Sequence, residues 1–293
     1  MLLCALHEFR IKMIITPKWI PYEIIFFDCD STLSTIEGIE ELARAKRLFD
    51  EVKRLTDSAM EGEVQLESVY DRRLQMLRPT RGEIRRVERL YRENLVPDAR
   101  EVIQALQFLR KEIFIVSGGL YEAVCPFGEW LGVPPSHIRA VEVAFDLLSG
   151  EWWDYQADQW GKRPDVTYHK HDESPLVQSI GKANVVRQLK NNRTGRSMLI
   201  GDGMSDIAAQ SEVNRVIGFG GVVVRQGVVT HADIFITCNS LAPILPLTTS
   251  SQERNLLKGT SHAKLLEKGL MFIKDGHVKF KKETLHKAVL YHS

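Results

Sequence analysis

The sequence predicts an α/β protein built on a doubly wound parallel sheet, and three observations carry that expectation. Short apolar runs, "IIFF" at 24–27, "IFIV" at 113–116, "SMLI" at 197–200, "VIGF" at 216–219 and "DIFIT" at 233–237, alternate with helix-patterned stretches, the arrangement that builds a parallel sheet with crossover helices. "IIFF" is apolar throughout rather than alternating, as a strand buried on both faces requires. Three of the runs end in polar clusters, "DCDST" at 28–32, "SGG" at 117–119 and "GDGMSD" at 201–206, and sheets of this kind bind ligands at the carboxyl ends of their strands.

The first run raises the chemical question. Asp28 and Asp30 follow a buried strand with one residue between them, and each raises the cost of ionising the other. A cation and a reaction would justify the pair. Cys29, between them, reads as a buried structural thiol, because a strand turns its side chain away from theirs.

The bulk numbers are those of an ordinary globular chain. With 293 residues, 44% hydrophobic and 26% charged, it can bury a large core in one domain or two. A formal net charge of +1 gives no reason to expect nucleic acid or a membrane surface as partner. The charge is uneven: from Thr248 onward nine Lys/Arg face four Asp/Glu. The basic excess reads as a solvated face. Cys4, Cys29, Cys125 and Cys238 are scattered without CxxC spacing, which favours reduced thiols over a disulfide frame or zinc site. No apolar run approaches the roughly 20 residues of a membrane span, and "MLLCALHEFRIKMII" lacks a signal-peptide core and cleavage site. The expected location is cytoplasmic.

Residues 36–94 are helix-patterned and highly charged. Ile39, Leu42, Ala43, Leu48, Val52 and Leu55 fall near helical spacing, with Pro79, Gly82 and Pro97 as punctuation. The expected organisation is a core of residues 20–35 and 95–247, a helical cap of 36–94 inserted after the first strand, and a basic extension, 248–293. Residues 150–179 lack periodicity after "GEWWDY" and read as a loop or hairpin excursion. Its His169 and His171 read as solvated rather than as metal ligands, and its three tryptophans as packing groups. In the tail, Asp275-Gly276 between apolar runs signals a hairpin.

At the strand ends the residue types fit phosphoryl transfer. A carboxylate such as Asp28 can attack phosphorus and form an aspartyl-phosphate, splitting hydrolysis into two displacements. A second acid, Asp30, can protonate the leaving oxygen and then activate water. The attacking carboxylate and the phosphate repel, so a hard divalent cation is needed, and Mg²⁺ suits carboxylates plus substrate oxygens. Asp202 and Asp206 can supply further ligands or support. Ser117 with the backbone of Gly118 and Gly119 can bind phosphoryl oxygens, and Lys182, opening the helix "KANVVRQLK", can neutralise transition-state charge.

This ordered set, "DCDST", "SGG", Lys182 and "GDGMSD", resembles the haloacid dehalogenase (HAD) superfamily of aspartate-nucleophile phosphatases, which implies a Rossmann-like core with a cap. Within it the chain is most similar to the phosphoserine phosphatase family over roughly residues 22–246, including the cap. That resemblance implies a phosphoric monoester hydrolase of serine biosynthesis. It makes Asp28, the backbone carbonyl of Asp30 and Asp202 the metal ligands, and Asp206 with Ser205 supporting groups. In "DCDSTLSTIEGIEELA" it puts Glu37 against the substrate amine. In "AMEGEVQLESVYDRRLQML" it puts Arg73, rather than Arg72, on the substrate carboxylate and Met60 and Leu66 in the pocket lining. One acid and one guanidinium suit a phosphoserine's ammonium and carboxylate. Ser205 stands where the family commonly has Asn. The expected partner is a small phosphomonoester, and a homodimer is compatible with the reading. The alternatives are hydrolysis of, or phosphoryl transfer from, phosphoethanolamine, phosphocholine or a methionine-salvage sugar phosphate. A non-catalytic phosphate acceptor would have no use for the acid at Asp30 or for a cap.

Overall fold

The computed structural model describes residues 19–151 and 163–290. Its main sheet has seven strands: β1 (Ile24–Phe27), β2 (Glu112–Leu120), β3 (Ile138–Val141), and, after a two-stranded excursion β4 (Val143–Asp146) and β5 (Thr167–His171), β6 (Ser197–Gly201), β7 (Arg215–Phe219), β8 (Ile234–Ile236) and β9 (Val278–Phe280). The order is β3-β2-β1-β6-β7-β8-β9, and every pairing is parallel except that of β8 with β9. The four β1 residues are buried on both faces, each side chain contributing about 1.5–3 kcal/mol.

The order explains where a site forms. The chain builds outward from β1 through β2 to β3, then returns to lay β6 on the other side of β1. The carboxyl ends of β1 and β6 therefore flank a topological switch point, the crevice that open α/β sheets use for ligands. Phe27 pairs with Ile200, so Asp28 and Asp202 leave neighbouring strands at nearly the same level.

Between β1 and β2 lie α1 (Gly38–Ala45), α2 (Phe49–Met60), α3 (Leu66–Leu77), α4 (Arg81–Glu93) and α5 (Ala99–Phe108), with α6 (Tyr121–Trp130) directly after β2. The first four start and end at one place: Ser34 bridges Leu95, and Val96 N–H donates to Leu33 O at 3.0 Å. α4 opens with a capping box in which Thr80 and Glu83 satisfy each other's backbone N–H. It buries Ile84, Val87 and Tyr91 at helical spacing.

The excursion starts earlier than its composition indicates. β4 begins at Val143, and its antiparallel partner is β5. Trp152, Trp153 and Trp160 lie outside the described residues. Tyr168 N–H donates to Pro79 O at 2.8 Å, Arg81 N–H to Val166 O at 2.9 Å and Gly82 N–H to Pro164 O at 2.7 Å, so the excursion is joined by backbone bonds to the α3–α4 turn.

The tail corrects one expectation. Asp275-Gly276 does not turn a hairpin, because "LMFIK" belongs to the helix Ala263–Lys274, which buries Leu265, Leu266, Gly269 and Ile273. Gly276, at φ +80°, ends that helix in the left-handed conformation glycine adopts without strain. The chain then runs into β9, which covers the outer edge of β8. Arg254 is buried there, donating to Pro246 O at 2.7 Å and Val289 O at 2.8 Å. Among the described residues no helix is long and apolar enough to cross a membrane.

Candidate active site

Three strand ends and one helix start converge at the switch point. Asp28 Oδ1 accepts from Cys29 N at 2.8 Å. Its Oδ2 lies 2.7 Å from Lys182 Nζ, which is also 2.7 Å from Asp206 Oδ1. Lys182 is the second residue of the helix Gly181–Lys190. Asp206 Oδ2 accepts from Gly203 N at 3.1 Å, and a Cβ at Gly201 would fall 2.1 Å from the Asp206 carboxyl carbon. The close approach requires glycine there. Burial pushes Asp206 up to about 7 against the pull of Lys182. Burial opposes the Lys182 charge, but Asp206 and Asp28 overcome it and raise its pKa.

Asp28, Asp202 and Asp206 are buried, and one oxygen from each lies within 4.8 Å of the others. Asp202 Oδ1 is buried without a hydrogen-bond partner. An orphaned carboxylate oxygen in a nest of acids is expensive, and a divalent cation with oxygen ligands satisfies both needs. The donor set fits such an ion.

The Asp30 side chain stands apart from that group. Its Oδ1 accepts from Tyr91 Oη and from Gly38 N, each at 2.7 Å. Burial, then the neighbouring Asp28, push it up to about 6 although both hydrogen bonds favour the charge. A carboxyl raised to about 6 can give and take a proton close to neutrality, as a general acid and base must.

Glu37, the residue before α1, accepts from Ser31 Oγ at 2.7 Å; burial, then Asp30, raise its pKa well above the usual range. Arg73 is buried on α3, whereas Arg72 is exposed. Its Nη1 donates to Thr56 Oγ1 at 2.9 Å, and its Nε has no partner. Both Glu37 and Arg73 line the cleft that Asp28, Asp30 and Lys182 open into, as do Met60, Leu66, Gly118 and Ser205. Ser117 is fully buried, its Oγ accepting from Gly119 N at 2.9 Å. His169 and His171 are outside the acidic group.

Arg225 was not marked by any motif. It is 2% exposed, with Nε 3.0 Å from Asp202 Oδ2, Nη2 3.5 Å from Glu37 Oε1 and Nη1 3.8 Å from Asp57 Oδ1. One guanidinium thus ties a carboxylate of the acidic group to Glu37, just before α1, and to Asp57 on α2. Its signal was a lone cation in the apolar stretch "VVVRQGVV" just beyond the end of β7. Tyr91, the donor to Asp30, was equally unmarked.

Residues 25–210 match the model of the haloacid dehalogenase-like hydrolases. The chain belongs to that family. Similar sequences include human phosphoserine phosphatase, 31% identical over 216 residues covering 73% of this chain and 89% of that one. The bovine phosphoserine phosphatase is 30% identical with the same coverage. The chloroplastic phosphoserine phosphatase of Arabidopsis thaliana is 28% identical over 221 residues, 74% of this chain and 70% of that one. Among solved structures, a phospho-aspartyl intermediate analogue of phosphoserine phosphatase superposes with a TM-score of 0.64, at 23% identity over 78% of this chain and all of that one. A phosphoserine phosphohydrolase-like protein from Francisella tularensis gives 0.63, at 24% identity over 74% and 95%. Both carry the same fold. The α/β fold expected from the alternating strands and the family read from the four motifs both hold.

Proposed function

We propose that this hydrolase releases serine and phosphate from phosphoserine through an aspartyl-phosphate on Asp28. The observation that carries the substrate assignment is Arg73, a buried guanidinium without an ion-pair partner among the described residues that lines the same cleft as Glu37. A buried cation left uncompensated is costly, and a substrate carboxylate would satisfy it with two parallel hydrogen bonds. Glu37 would take the ammonium.

Asp28 attacks phosphorus while the bond from phosphorus to the seryl oxygen breaks, and Asp30 gives its proton to that oxygen. In the second half, Asp30 takes a proton from water as the water oxygen attacks phosphorus and frees Asp28. Lys182, Ser117 and the backbone N–H of Gly118 hold phosphoryl oxygens, and α1–α4 cover the cleft and exclude bulk water. Asp28, the backbone carbonyl of Asp30 and Asp202 would hold Mg²⁺, with Asp206 and Ser205 in support. When bound, the ion offsets the repulsion between the Asp28 carboxylate and the phosphate.

Arg73→Ala tests the clamp. Two charge-assisted hydrogen bonds of about 1.5–3 kcal/mol each predict that kcat/KM for phosphoserine falls roughly 10²-fold or more, while phosphoethanolamine and p-nitrophenyl phosphate change little. An equal loss for all three removes the assignment.

Metal addition gives a second test. Carboxyls raised in the fold, Asp30 to about 6 and Asp206 to about 7 from an ordinary 3.8, bind more protons folded than unfolded. Stability of the metal-free protein therefore falls as pH rises from about 4 to 7. Mg²⁺ needs the ionised carboxylates, so its stabilisation grows over the same window. At a hundredfold excess over Kd it contributes about 2.7 kcal/mol, on the order of 5–10 °C in Tm. Melts with Mg²⁺ and with EDTA should differ by that much at pH 8 and by clearly less at pH 5.5. Equal shifts at both pH values would contradict the metal assignment.

A further inference from the structure

The helix that carries Arg73 is bonded to three segments of the core and its excursion. Glu67 in the first turn of α3 accepts from Ser179 N at 3.0 Å and Ser179 Oγ at 2.9 Å. Asp71 accepts from Tyr168 Oη at 2.8 Å. Between them Tyr70 donates its hydroxyl to Gly118 O at 2.8 Å. The first two bonds fasten the outside of the helix. The third enters the site.

Gly118 C=O and Gly119 N–H belong to one peptide group, whose planarity makes the two point in opposite directions. The oxygen of that group accepts from Tyr70, and its N–H donates to Ser117 Oγ at 2.9 Å. A single plane thus links the tyrosine hydroxyl to the serine hydroxyl, each bond polarising the next. With a lone pair of its oxygen engaged by Gly119, the Ser117 hydroxyl is turned to donate its proton elsewhere. Tyr70 is 5% exposed and lines the cleft. It precedes Arg73 by three residues, so the two share a helix face, and the guanidinium carbon lies 5.4 Å from the centre of its ring.

We propose that Tyr70 is a positioning residue for phosphoryl transfer, fixing the Ser117 hydroxyl through the peptide between Gly118 and Gly119. This rests on the reading of Ser117 as a phosphoryl donor and deepens it. Because α3 also carries Arg73, a substrate carboxylate that orders this helix orders the phosphoryl-binding turn as well. Binding energy from the remote end of the substrate is then used at phosphorus, where it raises kcat rather than lowering KM.

Tyr70→Phe keeps the ring and its packing and removes only the hydroxyl. The variant should lose about 3- to 10-fold in kcat, the worth of one neutral hydrogen bond, with KM for phosphoserine within twofold and Tm within a few degrees of the parent. The decisive measurement is a cycle with Ser117→Ala, run on phosphoserine and on p-nitrophenyl phosphate. If Tyr70 acts through Ser117, adding Tyr70→Phe to Ser117→Ala costs less than twofold further on either ester. Multiplicative losses, or an unchanged kcat in Tyr70→Phe alone, would overturn the proposal. A parent enzyme that turns over p-nitrophenyl phosphate as well as phosphoserine would defeat the substrate assignment, while the cycle on the nitrophenyl ester would still decide the role of Tyr70.

Discussion

Asp28→Asn is expected to lower kcat by about 10⁴-fold or more and to leave the fold intact. An amide nitrogen has no lone pair free to attack phosphorus, and Asn is close to Asp in shape. The site loses one negative charge from a group in which Asp28, Asp202 and Asp206 crowd within 4.8 Å. Lys182 keeps Asp206 at 2.7 Å and so retains a partner. The Tm of the metal-free variant should therefore equal or exceed that of the parent. Trapping with phosphoserine followed by intact-mass measurement should show phospho-enzyme in the parent and none in the variant. Retained turnover or a retained phosphoryl adduct would move the nucleophile to another residue.

Lys182→Met has the second-largest expected effect, because it acts on stability and catalysis together. The ammonium sits 2.7 Å from Asp28 and 2.7 Å from Asp206 with all three buried, and removing the cation that two buried carboxylates share leaves them uncompensated at a cost of about 3–5 kcal/mol. Without the cation the Asp206 carboxyl moves further up, so the variant binds still more protons folded than unfolded. Its instability relative to the parent should be small at pH 5 and large at pH 8. Activity should fall about 10²- to 10³-fold, as when one preorganised charge is taken from a transition state. Excess Mg²⁺ should restore part of the Tm at pH 8 but not the rate, since a cation held by the carboxylates does not replace a donor on the phosphoryl oxygens. A Tm at pH 8 within a degree or two of the parent would refute the structural half of the argument.

The parts of this site that could be read in the sequence are those where local pattern and chemistry coincide. "IIFF" followed by "DCDST" shows a buried strand and its charged end in nine residues, and "SMLI" followed by "GDGMSD" repeats the device. The sheet then brings the two ends together because parallel strands share a carboxyl edge. Arg225 could not be found in this way. Its meaning lies in Glu37 and Asp202, 188 and 23 residues away, and the apolar run around it is equally what a strand or a short helix needs. Tyr91 was hidden for the opposite reason. In α4 it occupies the same helical stripe as Ile84 and Val87, so periodicity assigns it to packing and is silent about the hydroxyl at its end. The tail misled because Asp275-Gly276 is as good a helix terminus as a hairpin turn, and only the partner of "VKF", β8, distinguishes them.

The last strand of the sheet has a practical consequence. Relatives share about three quarters of this chain, and the obvious trimmed version would stop where that likeness fades, near residue 247. Such a cut would strip the outer flank of β8, remove the guanidinium that gathers the Pro246 carbonyl, and leave a bare ribbon ready to stick to its own copies. Ancestry and integrity therefore draw different borders on this polypeptide, and only the longer one keeps the edge of β8 covered.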